Sequence, residues 1–138
     1  MVKIRMTLSD KLSLTPEELT RNRNNIGLIL KMFRERNNIL QNQIAEKLGY
    51  VNLNFISMVE TGKSSVPLAR LEEFQKAYGA PAELIPIMLK YLYPETWNIF
   101  LLSLGKCKDL FGTDKKASTI DKTVEKDFKA LLKEAKKR

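Results

Sequence analysis

Residues 41–63 read QNQIAEKLGYVNLNFISMVETGK. Two short segments with helical spacing flank a Gly-Tyr pair, and the second closes on Gly-Lys. Over Gln41–Leu48, Ile44 and Leu48 share one face, and Gly49 takes the positive φ that stops a helix sharply. After Tyr50 and Val51, Asn52 is placed to cap a second helix from about Leu53 to Thr61. Ile56 and Val59 are its inward residues, and Gly62 ends it. A glycine-containing turn this short forces the two helices to cross steeply instead of packing antiparallel. Ala45 is small, as that close approach requires.

The flanking sequence reads as more helices. Thr15-Pro16-Glu17-Glu18 is a capping signature that opens a helix, which the Asn-rich stretch at Asn22–Asn25 stops or bends. A further helix follows from about Asn25 to Arg36, with Ile26, Ile29, Leu30 and Phe33 as its core stripe. Pro67 opens another that ends at Tyr78, with Leu68, Leu71, Phe74 and Tyr78 inward and Gly79 as terminator. Ala82–Leu92 is apolar on nearly every side, the mark of a buried helix. Pro94 breaks it, and Glu95–Leu104 continues with Trp97, Leu101 and Leu104 on one side. Residues 106–119 are polar and irregular. Thr123–Lys137 carries a thin stripe of Val124, Phe128, Leu131, Leu132 and Ala135 flanked by lysines. No stretch alternates like a strand, so the fold class is all-α.

Composition narrows the function. The 138 residues are 43% hydrophobic with a net charge of +8. The charge is uneven: residues 20–66 carry +4 and residues 106–138 carry +5, with 67–105 at −1 between them. Two separated positive regions favour a polyanion, of which phosphate backbones are the common kind. Histidine is absent, and Cys107 is the single cysteine. An internal disulfide, His-based catalysis and the usual transition-metal sites are thereby excluded, and no metal or cofactor is expected. No phosphate-cradling glycine loop appears, and an enzyme is disfavoured. There is no apolar run of membrane-spanning length and no leader pattern, so a cytoplasmic location is expected.

The combination of Gln41, Ile44-Ala45-Glu46-Lys47-Leu48-Gly49, Ile56-Ser57, Val59-Glu60 and Gly62-Lys63, followed by Pro67, resembles the helix-turn-helix of the Cro/phage-repressor (XRE) family. The resemblance covers roughly residues 24–80, and it departs from the pattern in a turn, Tyr50–Phe55, that is one residue longer. It implies a lambda-repressor-like five-helix domain with additional C-terminal helices. The organisation expected is an N-terminal extension over 1–22, the DNA-binding domain over 23–80, an apolar helical extension over 81–105 and a basic tail over 106–138.

The resemblance also implies roles. The second motif helix is about 10–12 Å across and enters a major groove about 12 Å wide. Asn52, Leu53, Asn54, Ser57 and Met58 are then the base-reading candidates. Asparagine pairs with adenine, serine with either partner, and Leu or Met touches the thymine methyl, which favours A·T-containing sites. Gln41, Asn42 and Gln43 at the first helix, and Thr61, Lys63, Ser64 and Ser65 past the second, are candidates for the DNA backbone. Arg21 and Arg23 would form a basic arm on the duplex. Glu60, the one acid of its helix, is assigned a structural role.

Such modules work as symmetric dimers on palindromic half-sites, because one short helix reads few bases. Ile87, Tyr91, Trp97, Phe100 and Leu101 of the surplus apolar block are the expected homodimer contacts. The tail, read as disordered or weakly helical, and the C-terminal third generally are open to a protein partner. The function expected is a transcriptional regulator, most often a repressor in this family, binding double-stranded DNA. An antitoxin-type autorepressor, a nucleoid-associated binder and a helical adaptor without DNA binding are the alternatives.

Overall fold

The computed structural model describes residues 14–106 and 115–137, so residues 1–13 of the expected extension, and Cys107, lie outside the described residues. Among these residues the chain is helical and contains no strand, as the apolar spacing predicts. The helices are α1 (Pro16–Arg36), α2 (Gln41–Leu48), α3 (Asn54–Glu60), α4 (Leu71–Ala77), α5 (Leu84–Leu92), α6 (Pro94–Lys106) and α7 (Lys115–Lys136). A 3-10 turn, Leu68–Arg70, precedes α4.

The capping signature opens α1 as expected. The Glu18 N–H donates to Thr15 Oγ1 at 3.1 Å, and the Thr15 N–H donates to Glu18 Oε1 at 3.1 Å. The expected break at Asn22–Asn25 does not occur: α1 runs unbroken for 21 residues. A boundary between 22 and 23 therefore falls inside one continuous element. Two of the polar side chains there reach other elements. Asn22 Nδ2 donates to the Tyr91 carbonyl at 3.1 Å, and Arg23 Nε to the Gly62 carbonyl at 3.0 Å. An asparagine so engaged no longer competes for its local backbone, which is how it usually ends a helix.

α1 is the spine of the core. Ile26, Ile29, Leu30 and Phe33 are buried against Ile44, Leu48, Ile56, Val59, Phe74 and Tyr78. Gly27 marks the tightest crossing. A Cβ at that position would lie 2.4 Å from the Glu60 carbonyl oxygen and 2.7 Å from that of Val59, so α1 and α3 meet backbone to backbone. Leu68 departs from the expected stripe and is 43% exposed. Arg70 leaves helical geometry (φ −120°) and donates from Nη2 to the Leu48 carbonyl at 2.6 Å, so regular helix begins only at Leu71.

Much of the surplus apolar block is packed within the chain. Ile87 is fully buried and Trp97 only 3% exposed. The Tyr91 ring stacks on Phe128 with centroids 3.9 Å apart. These three residues thus serve α5, α6 and α7, which corrects their assignment to a dimer. Phe100 remains exposed and Leu101 half-buried. The tail is likewise more ordered than expected: α7 is a 22-residue helix with Val124, Phe128 and Ala135 buried. Its stripe is too thin to make a helix stable alone, but it suffices for one laid over an apolar face. Polar ties fix its register. Asp121 Oδ1 accepts from Trp97 Nε1 at 2.8 Å and from Lys90 Nζ at 2.9 Å, and Arg36 pairs with Glu134 at 3.1 Å.

Two outcomes are expected. Alanine at position 27 improves helix propensity by about 1 kcal/mol, yet Gly27→Ala should be destabilising in urea unfolding, because α3 must move off α1. A neutral or stabilising result would contradict the crossing. Partial burial pushes the Asp121 carboxyl up, but the hydrogen bonds from Lys90 and Trp97 and the Lys90 charge outweigh it and hold the carboxyl below its ordinary value. Its contribution is present above the unfolded carboxylate range near about 4 and is lost as pH falls through the lower folded value. Asp121→Asn should therefore lower stability at pH 7 and flatten its decline in acid, as followed by Trp97 fluorescence. Parallel acid curves for parent and variant would refute this.

Candidate nucleic-acid interface

The turn between α2 and α3 is built from backbone and aromatic packing. Gly49 adopts φ 83°. Its N–H donates to the Glu46 carbonyl at 3.2 Å and that of Tyr50 to the Ala45 carbonyl at 2.9 Å, a paired closure that satisfies the end of α2. Past α3 the same closure recurs: Gly62 N–H donates to Val59 and Lys63 N–H to Met58, at 3.2 and 2.8 Å. The Tyr50 ring packs 5.0 Å from Phe55 and 6.4 Å from Phe74, with the Arg70 guanidinium 5.1 Å from its centroid. The longer turn is thus pinned at its aromatic end, and Val51 at its tip is fully exposed.

The inner side of α3 ends on Glu60, whose carboxylate is a four-way acceptor. Arg34 Nε donates to Oε2 at 2.8 Å and Nη2 to Oε1 at 2.9 Å. Tyr78 Oη donates to Oε2 at 2.8 Å, and Gln41 Nε2 to Oε1 at 3.1 Å. Arg34 Nη1 also reaches the Ile39 carbonyl at 3.0 Å. Burial, with the Glu60 charge next, pushes the Tyr78 hydroxyl far above its ordinary range, so it stays a proton donor. Among the described residues no buried side-chain polar atom lacks a partner. The structural assignment of Glu60 is correct, and α1, α2, α3 and the end of α4 are joined at one point.

With Ile56, Val59 and Glu60 inward, the opposite side of α3 is open. Leu53, Asn54 and Met58 are exposed and Ser57 is half-buried. Met58, at 41% exposure, is not core filler. Asn52 is exposed in the turn, where its Oδ1 accepts from the Asn54 N–H at 2.9 Å. That bond closes a local turn ahead of α3, whose N-cap position is Leu53 and not the expected Asn52, and Asn54 keeps both halves of its side-chain amide unengaged among the described residues.

The expected backbone contacts divide. Asn42 and Gln43 are exposed on the first turn of α2. Gln43 Oε1 accepts from the Leu40 N–H at 2.7 Å, and its NH2 remains a donor. Gln41 is half-buried and turned inward to Glu60, so it positions α2 against α3 and keeps at most one N–H for a phosphate. Thr61 spends its hydroxyl proton on the Ser57 carbonyl at 2.9 Å. Lys63 is exposed just past α3, with Ser64 and Ser65 half-buried beside it. Arg21 is exposed on α1, whereas Arg23 donates to the Gly62 carbonyl and to Thr20 Oγ1. Both arginines belong to a helix, not to an arm. Sequence reasoning passed over Val51 and Lys47, both exposed beside this surface, and over Arg34 as the partner of Glu60. Only the last left a signal: Arg34 sits four residues after Leu30 and eight after Ile26, on the buried stripe.

A family model described as helix-turn-helix matches residues 30–85. Residues 30–85 are a helix-turn-helix domain of the Cro/phage-repressor (XRE) type. It takes in the last third of α1, all of α2, α3 and α4, and the start of α5; α6 and α7 lie outside it. No curated protein and no solved structure matches the chain. Among the described residues no helix is long and apolar enough to cross a membrane.

Removing the Glu60 carboxylate strands a guanidinium that is only 11% exposed. Glu60→Ala should cost about 3–5 kcal/mol in equilibrium unfolding, the range for breaking a buried pair. A loss under about 1 kcal/mol would show that water or a neighbour replaces the carboxylate at little cost.

Proposed function

We propose that this chain is a sequence-specific DNA-binding transcriptional regulator, a repressor that occupies a palindromic operator as a homodimer. The observation that carries the reading is the two-sided character of α3. One side is locked to three other elements through Glu60, while Leu53, Asn54, Ser57 and Met58 stand open on the other. A helix held this firmly presents side chains at fixed positions, which base readout in a groove requires. Asn54 supplies the paired donor and acceptor that suit adenine, and Leu53 and Met58 supply apolar contact for thymine methyls. Asn42, Gln43 and Lys63 grip the phosphates on either side. The matched helix-turn-helix family supports DNA binding. The homodimer is assigned to the outer side of α6, where Phe100, Ile99 and Leu102 are exposed beside Leu101.

The test is binding-site selection followed by gel-shift titration. An inverted repeat should emerge, occupied by two protomers. Asn54→Ala and Met58→Ala should each weaken operator binding by about 1–3 kcal/mol while leaving non-specific binding and helicity intact. Unchanged operator affinity in both variants would mean that this side of α3 does not read DNA.

A further inference from the structure

α7 lies outside the helix-turn-helix match, and its charges are sorted by side. Three of its four carboxylates point to partners on neighbouring elements or on its own surface: Asp121 to Lys90 and Trp97, Glu125 to Lys129 and Lys90, and Glu134 to Arg36. Its lysines do not follow them inward. Lys122, Lys126, Lys129, Lys133 and Lys136 recur at i, i+4, i+7, i+11 and i+14, and all are exposed. That spacing is one lysine per turn, a single row about 21 Å long at 1.5 Å per residue. The buried stripe of Val124, Phe128 and Ala135 keeps the same period from a different starting residue, so packing α7 onto the core holds the lysine row in solvent. Of the row, only Lys129 has an ion-pair partner among the described residues. A charged row on an isolated helix is commonly a solvated surface. This one belongs to a helix fixed in register by a stacked aromatic pair and several polar ties, so its cations keep a constant spacing.

Its position gives the row a partner. The Arg36–Glu134 pair sets the last turns of α7 beside the end of α1, and α2 starts at Gln41 after only Asn37–Leu40. The end of α7 that carries Lys133 and Lys136 is thereby tied to the end of α1 from which the chain runs into α2, whose first turn bears Asn42 and Gln43, the residues proposed to hold phosphates. We infer that the lysine row of α7 is a second DNA-backbone contact, binding the phosphates that flank the half-site read by α3. This rests on the regulatory reading above. Double-stranded DNA carries one charge per about 1.7 Å of axis, and each phosphate neutralised releases condensed counterions. The row adds affinity and salt dependence without sequence preference.

The experiment compares the full chain with a Lys126→Gln/Lys133→Gln/Lys136→Gln variant. Glutamine keeps helix propensity close to that of lysine, and far-UV circular dichroism checks that α7 is retained. Binding is measured across salt on a duplex carrying the selected operator with long flanks, on one trimmed to the half-sites, and on unrelated duplex. The slope of log K against log salt should become shallower by about 2–3 on the long and unrelated duplexes, at about 0.9 per phosphate contact. That change corresponds to affinity lower on the order of 100-fold near 0.1 M salt. The ratio of specific to non-specific affinity should stay unchanged, and the trimmed duplex should show little difference. Lys→Arg at the same three positions should restore the slope. An unchanged slope in a folded glutamine variant overturns the proposal. So does unchanged DNA binding together with lost binding to vesicles containing phosphatidylserine, which would assign the row to an anionic membrane. A parent chain that binds no duplex at low salt overturns the regulatory reading as well. The Asn54→Ala variant separates the two, since it should change the specificity ratio and leave the slope alone.

Discussion

The carboxylate of Glu60 accepts hydrogen bonds from Arg34 on α1, Gln41 on α2 and Tyr78 at the end of α4. Burying an ion pair is not in itself a strong source of stability, because desolvation of both groups offsets most of the attraction. What the cluster supplies is direction. A planar guanidinium donating twice to a planar carboxylate tolerates little rotation, so α3 is held about its own axis as well as against its neighbours. Apolar packing alone would permit a helix of seven residues to roll. A rolled α3 would no longer present Asn54 and Met58 together.

The backbone contact at Gly27 works with that cluster. Without a side chain between them, α1 and α3 approach until the Glu60 carbonyl occupies the space of a Cβ. The approach brings Arg34, two turns further along α1, within reach of the Glu60 side chain. Arg23 meets the Gly62 carbonyl on the other side of the crossing. α1 thus touches the proposed reading helix at its end and at the loop behind it. The same helix carries the C-terminal part of the molecule through Asn22 and Arg36.

Much of this was legible in the sequence. The helices from α2 to α6 follow apolar spacing, capping residues and glycine stops, all local signals. The outward residues of α3 were legible because Ile56 and Val59 define the inward side. What failed depended on partners distant in sequence. Asn22 and Arg23 look like a helix break until Tyr91 and Gly62 accept their hydrogen bonds. Ile87 looks like an interface until the core encloses it, and Tyr91 and Trp97 until α7 covers them. The thin stripe of α7 looks weak until those same residues receive it. Gln41 and Thr61 show a subtler point: their type suits a phosphate, but Gln41 gives one amide proton to Glu60 and Thr61 gives its hydroxyl proton to the Ser57 carbonyl.

The pairing of Arg36 with Glu134 joins residues 98 positions apart. α7 is synthesised after every other described helix, so Tyr91 and Trp97 have no cover until it has been made. During that interval the helix-turn-helix has all of its own parts, including the Glu60 cluster, while an apolar flank of α5 and α6 faces water. The nascent chain is therefore most prone to stick to others before α7 has emerged, and binding a chaperone at that flank would protect it without touching the outward side of α3.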